Sequence, residues 1–254
     1  MPLISVSGAQ GVGKTTFIND FLIQYPTYTS PTRTYRDIVK EKGLDINKET
    51  TESTQKIILD AIIESMSEYT RGDNVIFDRS PLDNLVYSIW AFDKDVGDFT
   101  EEFVADCITI CKQAMQKLDL MLFIPVTKLN NIEEMDTQDG TRELDPVYQK
   151  EINELFVGLK HHRDIGDDTY FQKGDCSPII EIFGNRSERL GLVQLYLNED
   201  GGFFGEEDSL ILDAKGDSVT DKPDSLIDTG DRDLLRKELG LGDEPISFNG
   251  QFGS

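Results

Sequence analysis

Cations are scarce in this sequence: 25 Lys and Arg stand against 48 Asp and Glu, a net charge of −23 over 254 residues. That balance excludes a general nucleic-acid-coating surface, because phosphate backbones are held by Lys and Arg; a local basic site remains compatible with it. Cysteine is scarce as well. Cys107, Cys111 and Cys176 make no even-numbered framework and stand at no metal-ligand spacing with His161 or His162, the only two histidines. Cys107 and Cys111 lie one helical turn apart on an apolar face, the placement of buried thiols, so a reducing, cytoplasmic setting is expected. No apolar run approaches membrane-spanning length and no N-terminal signal pattern precedes the first apolar strand, so no membrane partner is expected. No internal repeat is visible.

What the sequence does have is a phosphate loop. Gly8-Ala9-Gln10-Gly11-Val12-Gly13-Lys14-Thr15-Thr16 fits G-x-x-x-x-G-K-[ST]. Residues 3–7 before it read as a short buried strand. Residues 15–24 after it read as a helix with Phe17, Ile18, Phe21 and Leu22 on one face. A strand that turns sharply into a helix aims a row of backbone N–H groups and the positive end of a helix dipole at one point, where a triphosphate can sit. Gly8 and Gly13 let the backbone come close, Lys14 can reach the outer phosphates, and the Thr15 hydroxyl can hold Mg²⁺. ATP and Mg²⁺ are the expected cofactors.

The rest of the chain alternates strand and helix. Residues 26–32 are turn-rich and mildly β-prone at Tyr28 and Thr29, and a basic-aromatic cluster of Arg33, Tyr35 and Arg36 follows. A short helix is expected over 38–42, ended by Gly43, and a long one over 47–69 with the stripe Ile58, Ala61, Ile62 and Met66. Strands are expected at 74–78, 120–126 and 178–183, with helices at 85–92, 100–118, 145–160 and 187–197 between and after them. Such alternation predicts an α/β fold, a mostly parallel sheet covered on both faces, with ligands at the carboxyl ends of the strands. A polar stretch covers 127–141. From residue 199 the character changes: 15 acidic residues meet 5 basic ones, a net −10, and apolar residues thin out. The expected organisation is a domain over 1–198 and an acidic, partly disordered tail over 199–254 in which only 231–241 is helix-prone.

Phosphoryl transfer needs positioning and charge neutralisation: Mg²⁺, cations around the moving group, and a carboxylate to orient or deprotonate the acceptor. Asp78-Arg79-Ser80 stands where the strand over 74–78 ends. A carboxylate at that tip, beside the phosphate loop, can act as base for an acceptor hydroxyl or hold Mg²⁺ through water. Arg79 can hold an acceptor or transferring phosphate bidentately. The plainer alternative is an Asp-Arg turn with a helix cap at Ser80.

A phosphate loop followed by strand-Asp-Arg-Ser resembles the nucleoside and nucleotide kinases among P-loop proteins. Deoxynucleoside kinases carry Glu-Arg-Ser and thymidylate kinases Asp-Arg-Tyr or similar at this point. The closer resemblance is to the ribosylnicotinamide-kinase-like and bacteriophage P-loop kinases. There an Arg follows the family's second strand (Arg33 here), an Arg precedes a later helix (Arg142 in Gly140-Thr141-Arg142-Glu143-Leu144-Asp145), and a Gly-x-x-x-x-Arg turn follows the last strand (Gly184 to Arg189). This resemblance covers residues 2–198 and implies a three-layer P-loop sandwich with a kinase-type lid. It implies that Lys14 and Thr15 serve the donor phosphates and Mg²⁺, with Asp78 as base or metal anchor and Arg79 as acceptor-side clamp. It further places Arg142 in the lid, Arg186 and Arg189 near the donor base, and Arg33, Arg36 and Gln55 toward the acceptor. A Gln amide can read a pyrimidine edge, whereas a Gln early in a helix is ordinarily a solvated residue.

Other P-loop classes fit less well. Thr127-Lys128-Leu129-Asn130 stands where GTPases carry Asn-Lys-x-Asp, but the final Asp that would read guanine is Asn130. An ATPase would want a glutamate beside the strand-end aspartate to activate water, and Asp78 is followed by Arg79 instead. The acceptor is left open between a nucleoside, a nucleoside monophosphate and, as in the phage kinases of hypermodified DNA, 5-hydroxymethyluracil in DNA. For the last of these, Arg33, Tyr35 and Arg36 would grip a flipped base. The location expected is the cytoplasm, that of the host for a viral enzyme.

Overall fold

The computed structural model describes residues 2–130, 145–166, 170–171, 174 and 176–204. Arg142, the rest of the lid-like stretch 131–144 and residues 205–254 lie outside the described residues.

The sheet is built on Ile4–Ser7 (β1), every residue of which is buried. It pairs in parallel with Ile76–Asp78 (β2) on one side and Leu120–Phe123 (β3) on the other. The Ile179–Glu181 strand (β4) adds to β3, giving a four-stranded parallel sheet in the order β2-β1-β3-β4. Burial on both faces is what lets β3 run as four apolar residues with no alternation, and what buries Ser5 and Ser7 of β1 along with Ile4 and Val6. Beyond β2, Thr29 makes a parallel bridge to Val75, so the β-prone Tyr28-Thr29 segment lies along that edge.

The helices sort into two groups. Lys14–Gln24 (α1) packs on β1, β2 and Arg186–Val193 (α7). Its Phe21 meets Tyr25 and Tyr28 at ring-centroid distances of 4.7 and 5.0 Å. Pro81–Asp93 (α4) packs against Glu52–Ser67 (α3), Glu101–Met115 (α5) and Pro146–Ile165 (α6). Tyr35–Lys42 (α2) rests on α3. Every residue from Pro81 to Ala91 is buried, so α4 is an interior helix with no solvated face. All three cysteines are buried free thiols.

Element boundaries move where a capping residue competes with hydrophobic periodicity. The short helix begins at Tyr35 rather than residue 38, because Thr34 and Asp37 form a capping box. Residues 47–69 are not one helix: Asn47–Glu49 is a 3₁₀ turn, and α3 starts after Thr51, whose side chain accepts from the Thr54 N–H. Ser80 and Asp83 form a second capping box with Pro81 in the first turn, so α4 starts at Pro81 rather than residue 85. At the other end, Glu199–Phe204 folds onto the domain: Leu197 bridges Phe203, and the Tyr28 hydroxyl donates to Gly201 O at 2.7 Å.

The β1–α1 turn is fixed by close approach. Gly8 has φ 143°, and a Cβ there would lie 2.5 Å from the Ile124 carbonyl oxygen at the end of β3. Only glycine allows the loop to lie so close to its neighbouring strand. Gly8→Ala should therefore cost about 1–3 kcal/mol of stability and weaken nucleotide binding with it. A variant with a wild-type urea midpoint and wild-type affinity would contradict this close-packing account.

Candidate active site

Three structural pieces converge at the carboxyl ends of β1 and β2. The phosphate loop delivers Gly8 to Gly13, with Gly13 as the N-cap of α1 in the left-handed region at φ 91°. Lys14 folds back under this loop, only 5% exposed, and donates to Gly8 O at 2.6 Å and Ala9 O at 2.7 Å. Burial, and then the nearby Arg79 charge, push the Lys14 pKa down to about 7; Asp83 and Asp78 partly offset them. Thr15 follows and points at the second piece, the tip of β2.

There Asp78 Oδ2 accepts from Thr15 Oγ1 at 3.2 Å, while Asp78 Oδ1 is buried with no hydrogen-bond partner. Adjacent oxygens around an octahedral Mg²⁺ with bonds of 2.0–2.1 Å are about 2.9 Å apart, so the Thr15 Oγ1–Asp78 Oδ2 pair at 3.2 Å fits such an ion. Among the described residues no cluster of three or more His, Cys, Asp or Glu is placed to hold a metal. A cation here would therefore be held by one hydroxyl, one carboxylate and the phosphates themselves. The Arg36 guanidinium now stands beside this pair, 3.4 Å from Thr15 Oγ1 and 3.6 Å from Asp78 Oδ2.

Arg79, next along, has φ 87°, which side-chain-bearing residues rarely adopt. Its N–H donates to Val6 O at 3.0 Å, which fixes the turn against β1. The turn sends the side chain inward, where the guanidinium lies 4.3 Å from the Tyr35 ring centroid and 5.1 Å from that of Tyr87. Nη2 donates to the Tyr35 hydroxyl at 2.9 Å, and Nη1 lies 3.7 Å from Asp83 Oδ1.

The third piece is a small cavity behind Arg79, open to solvent at its mouth. Its walls are the apolar Ile46, Ile58 and Ile62, the rings of Tyr35 and Tyr87, and the polar side chains of Gln55, Asn84 and Arg79. The solvated alternative for Gln55 is overturned: it is 5% exposed, donates from Nε2 to Thr50 Oγ1 at 2.9 Å and accepts from Asn84 Nδ2 at 2.6 Å. A helix-start position says nothing of what α4 presses onto it.

Four residues central to this arrangement escaped sequence reasoning. Asp83, fully buried, accepts from Ser80 N at 2.9 Å and from Gly8 N at 3.4 Å, tying the phosphate loop to the β2 tip. Its signal was present as the Ser-x-x-Asp capping box. Asn84 and Tyr87 sit on α4, and Gln149 of α6 donates to Gln10 O at 2.7 Å. Tyr87 also reaches Gln10, its hydroxyl 3.2 Å from Oε1. Asn84 lies just before the apolar run 85–92 and, like Tyr87 and Gln149, gave no signal.

The remaining expected residues are placed as follows. Arg189 is buried behind the loop, donating to Val12 O and Gly184 O at 3.0 Å each. Arg186 is exposed and makes a two-pronged ion pair with Asp20 of α1. Arg33 is exposed and pairs with Glu41 at 2.6 Å, outside the cavity lining. Asn130, where a GTPase would read guanine, closes a turn instead: its Oδ1 accepts from Thr127 N at 2.6 Å and its Nδ2 donates to Pro125 O at 2.9 Å.

Residues 3–165 match the AAA domain family. The chain belongs to that family. No curated protein matches it by sequence. Among solved structures it is similar to deoxyadenosine kinase from M. mycoides with dCMP and dCDP bound (TM-score 0.54, 16% identity, covering 76% of this chain and 96% of that one). It is also similar to thymidylate kinase from Candida albicans (TM-score 0.50, 15% identity, 77% and 89%). NadR protein in complex with NR gives a TM-score of 0.51 at 13% identity over 77% of this chain, which spans about half (51%) of the NadR chain. Together these likenesses establish the fold as the P-loop kinase α/β sandwich. Among the described residues no helix is long and apolar enough to cross a membrane.

Two outcomes follow from the charges and the strained turn. Lys14 loses its proton as pH rises through about 7 in the free protein and must regain it against a polyphosphate, so triphosphate affinity should fall above that pH. A fluorescent-nucleotide titration from pH 6 to 9 reads this, and the Lys14-dependent part should vanish in Lys14→Ala. At Arg79, glycine adopts φ 87° freely and alanine does not; Arg79→Gly should exceed Arg79→Ala in stability by about 1 kcal/mol. Equal urea midpoints would mean that the turn does not enforce this φ.

Proposed function

We propose that this protein is an ATP-dependent phosphotransferase that moves the γ-phosphoryl group to a nucleoside or nucleoside monophosphate. The observation that carries the reading is Asp78. Its Oδ2 is joined to the phosphate-loop Thr15, its Oδ1 is buried and bare, and Arg79, next in sequence, lines a cavity walled by apolar and amide side chains. The fold shared with deoxyadenosine kinase and thymidylate kinase supports the same reading.

In this reading the loop amides and Lys14 hold the donor phosphates, the ammonium exchanging the Gly8 and Ala9 carbonyls for phosphate oxygens. Thr15 Oγ1 and Asp78 Oδ2 would hold Mg²⁺, with Arg36, now beside them, displaced by the nucleotide. Bound Mg²⁺ would neutralise charge on the β- and γ-phosphates. The acceptor oxygen attacks the γ-phosphorus as the bond to the β–γ bridging oxygen breaks, and ADP departs with that electron pair. For a hydroxyl acceptor the proton goes to Asp78 Oδ1. Arg79, held by Tyr35 and Asp83, spans the acceptor and the moving phosphoryl group. Gln55 faces the acceptor from the cavity floor. Arg142 as lid cation, Arg186 and Arg189 toward the donor base, and Arg33 at the acceptor mouth complete the assignment on the strength of the family resemblance.

The test is γ-labelled ATP transfer with nucleosides, nucleoside monophosphates and duplex DNA with and without 5-hydroxymethyluracil. Label in a small product is the expected result. Label only on modified DNA would move the acceptor class, and free phosphate alone would overturn the kinase reading in favour of an ATPase. Asp78→Asn should keep triphosphate affinity within about threefold and lose about 10²-fold or more of turnover.

A further inference from the structure

From Gly8 to Gly13, Gln10 alone has a side chain that can donate a hydrogen bond. Gln10 is also held from outside the loop at two points. Its main-chain carbonyl accepts from Gln149 Nε2 of α6 at 2.7 Å, and Gln149 is fully buried. Its side-chain Oε1 lies 3.2 Å from the Tyr87 hydroxyl of α4.

The direction of that second bond is set by Arg79. The Arg79 guanidinium lies 5.1 Å from the Tyr87 ring centroid and presents hydrogens toward the phenol oxygen. A guanidinium only donates, so the hydroxyl sends its own hydrogen onward, to Gln10. Burial keeps that hydrogen in place: it pushes the Tyr87 pKa up to about 12, against the lowering pull of the Arg79 charge. The Gln10 amide is thereby turned with its oxygen on Tyr87. Its nitrogen is left over, since Nε2 is buried and has no hydrogen-bond partner among the described residues. A bare buried donor is costly, and native structures keep one where something else completes it.

The position of Gln10 shows what that group is. Gly8 O and Ala9 O, which now hold the Lys14 ammonium, immediately precede it in the loop. On its other side, Tyr87 and Arg79 both line the acceptor cavity. Gln10 therefore stands between the ammonium that serves the outer phosphates and the cavity that receives the transferred group. We propose that Gln10 is a catalytic residue whose Nε2 donates to the γ-phosphoryl group, and that Tyr87 is the positioning residue that aims it. The ligand is a nucleoside triphosphate, told from a diphosphate by the oxygen atoms that only the third phosphate brings. This inference rests on the phosphotransferase reading and adds a link between its two halves. The guanidinium on the acceptor side orients, through Tyr87, the amide that meets the moving group.

The experiment titrates the full chain, in Mg²⁺, with AMP-PNP and with ADP, and reads the ratio of the two affinities. In Gln10→Ala the affinity for AMP-PNP should fall by about tenfold or more, as for a lost hydrogen bond to a charged group, with that for ADP within about twofold of wild type. Tyr87→Phe should shift the ratio in the same direction by about threefold. Equal losses for both ligands, or a loss for neither, overturn the proposal, because a merely structural role weakens both alike. A shift in Gln10→Ala with none in Tyr87→Phe overturns the part assigned to Tyr87. If Gln10→Ala does not fold, Gln10→Glu decides in its place, since a carboxylate there should repel AMP-PNP and leave ADP binding as in the wild type. These titrations need no acceptor, so a failure to transfer label to any acceptor defeats the phosphotransferase reading separately.

Discussion

Asp83 is the point on which the two halves of the site depend. Its carboxylate is closed off from solvent and accepts from the first amide of the phosphate loop on one side and the Ser80 amide on the other. The same oxygen that meets Gly8 lies 3.7 Å from Arg79 Nη1. One carboxylate thus fixes the donor loop, the first turn of α4 and the acceptor-side guanidinium relative to one another. A charge so placed survives burial only because every oxygen has a donor and a cation stands near; removing one partner of such a buried pair costs about 3–5 kcal/mol. It also shapes the local field. The chain carries a net −23, yet Lys14, Arg36 and Arg79 face only Asp78 and Asp83 here, so the site is cationic inside an acidic protein. That local excess suits a polyphosphate, and the acidic remainder discourages long anionic polymers.

Much of this was legible in the sequence, because it depended on local patterns. The phosphate loop, the parallel alternation and the Asp-Arg-Ser strand end are short-range signals, and each stands where it was expected. The boundaries that shifted did so at Thr34, Thr51 and Ser80, where a side chain satisfies the first amides of a helix and overrides the apolar period. What was not legible depended on α4. A helix buried on all sides has no amphipathic face, so its periodicity cannot say which neighbour Asp83, Asn84 or Tyr87 will meet. The burial of Gln55 was hidden for the same reason, since its surroundings come from Thr50 on one side and Asn84 on the other. Both helix-entry arginines that follow β4 show the reverse: the motif located them, but their partners, Asp20 and two backbone carbonyls, are set by how α7 packs on α1 and the phosphate loop.

The site divides its polar groups by charge, and the division follows from dielectric cost. Around the phosphate loop the groups are ionisable, because they meet full charges on a polyphosphate and the interactions strengthen as water is excluded. Across the cavity, beyond Arg79, the buried polar groups are a hydroxyl and two amides. A charge there would face the three isoleucines with no counterion, at a cost no neutral neighbour could offset. Neutral amides avoid that cost but can rotate to suit either partner, which by itself would leave their direction undefined. The Gln55 main-chain carbonyl removes the ambiguity, because it cannot exchange donor for acceptor. Orientation thereby passes from the backbone of α3 to Asn84, from Asn84 to the Gln55 side chain, and from there to Thr50. The helix that Asp83 ties to the phosphate loop is the same helix that carries Asn84, so the loop and the amide chain are held on one rigid element.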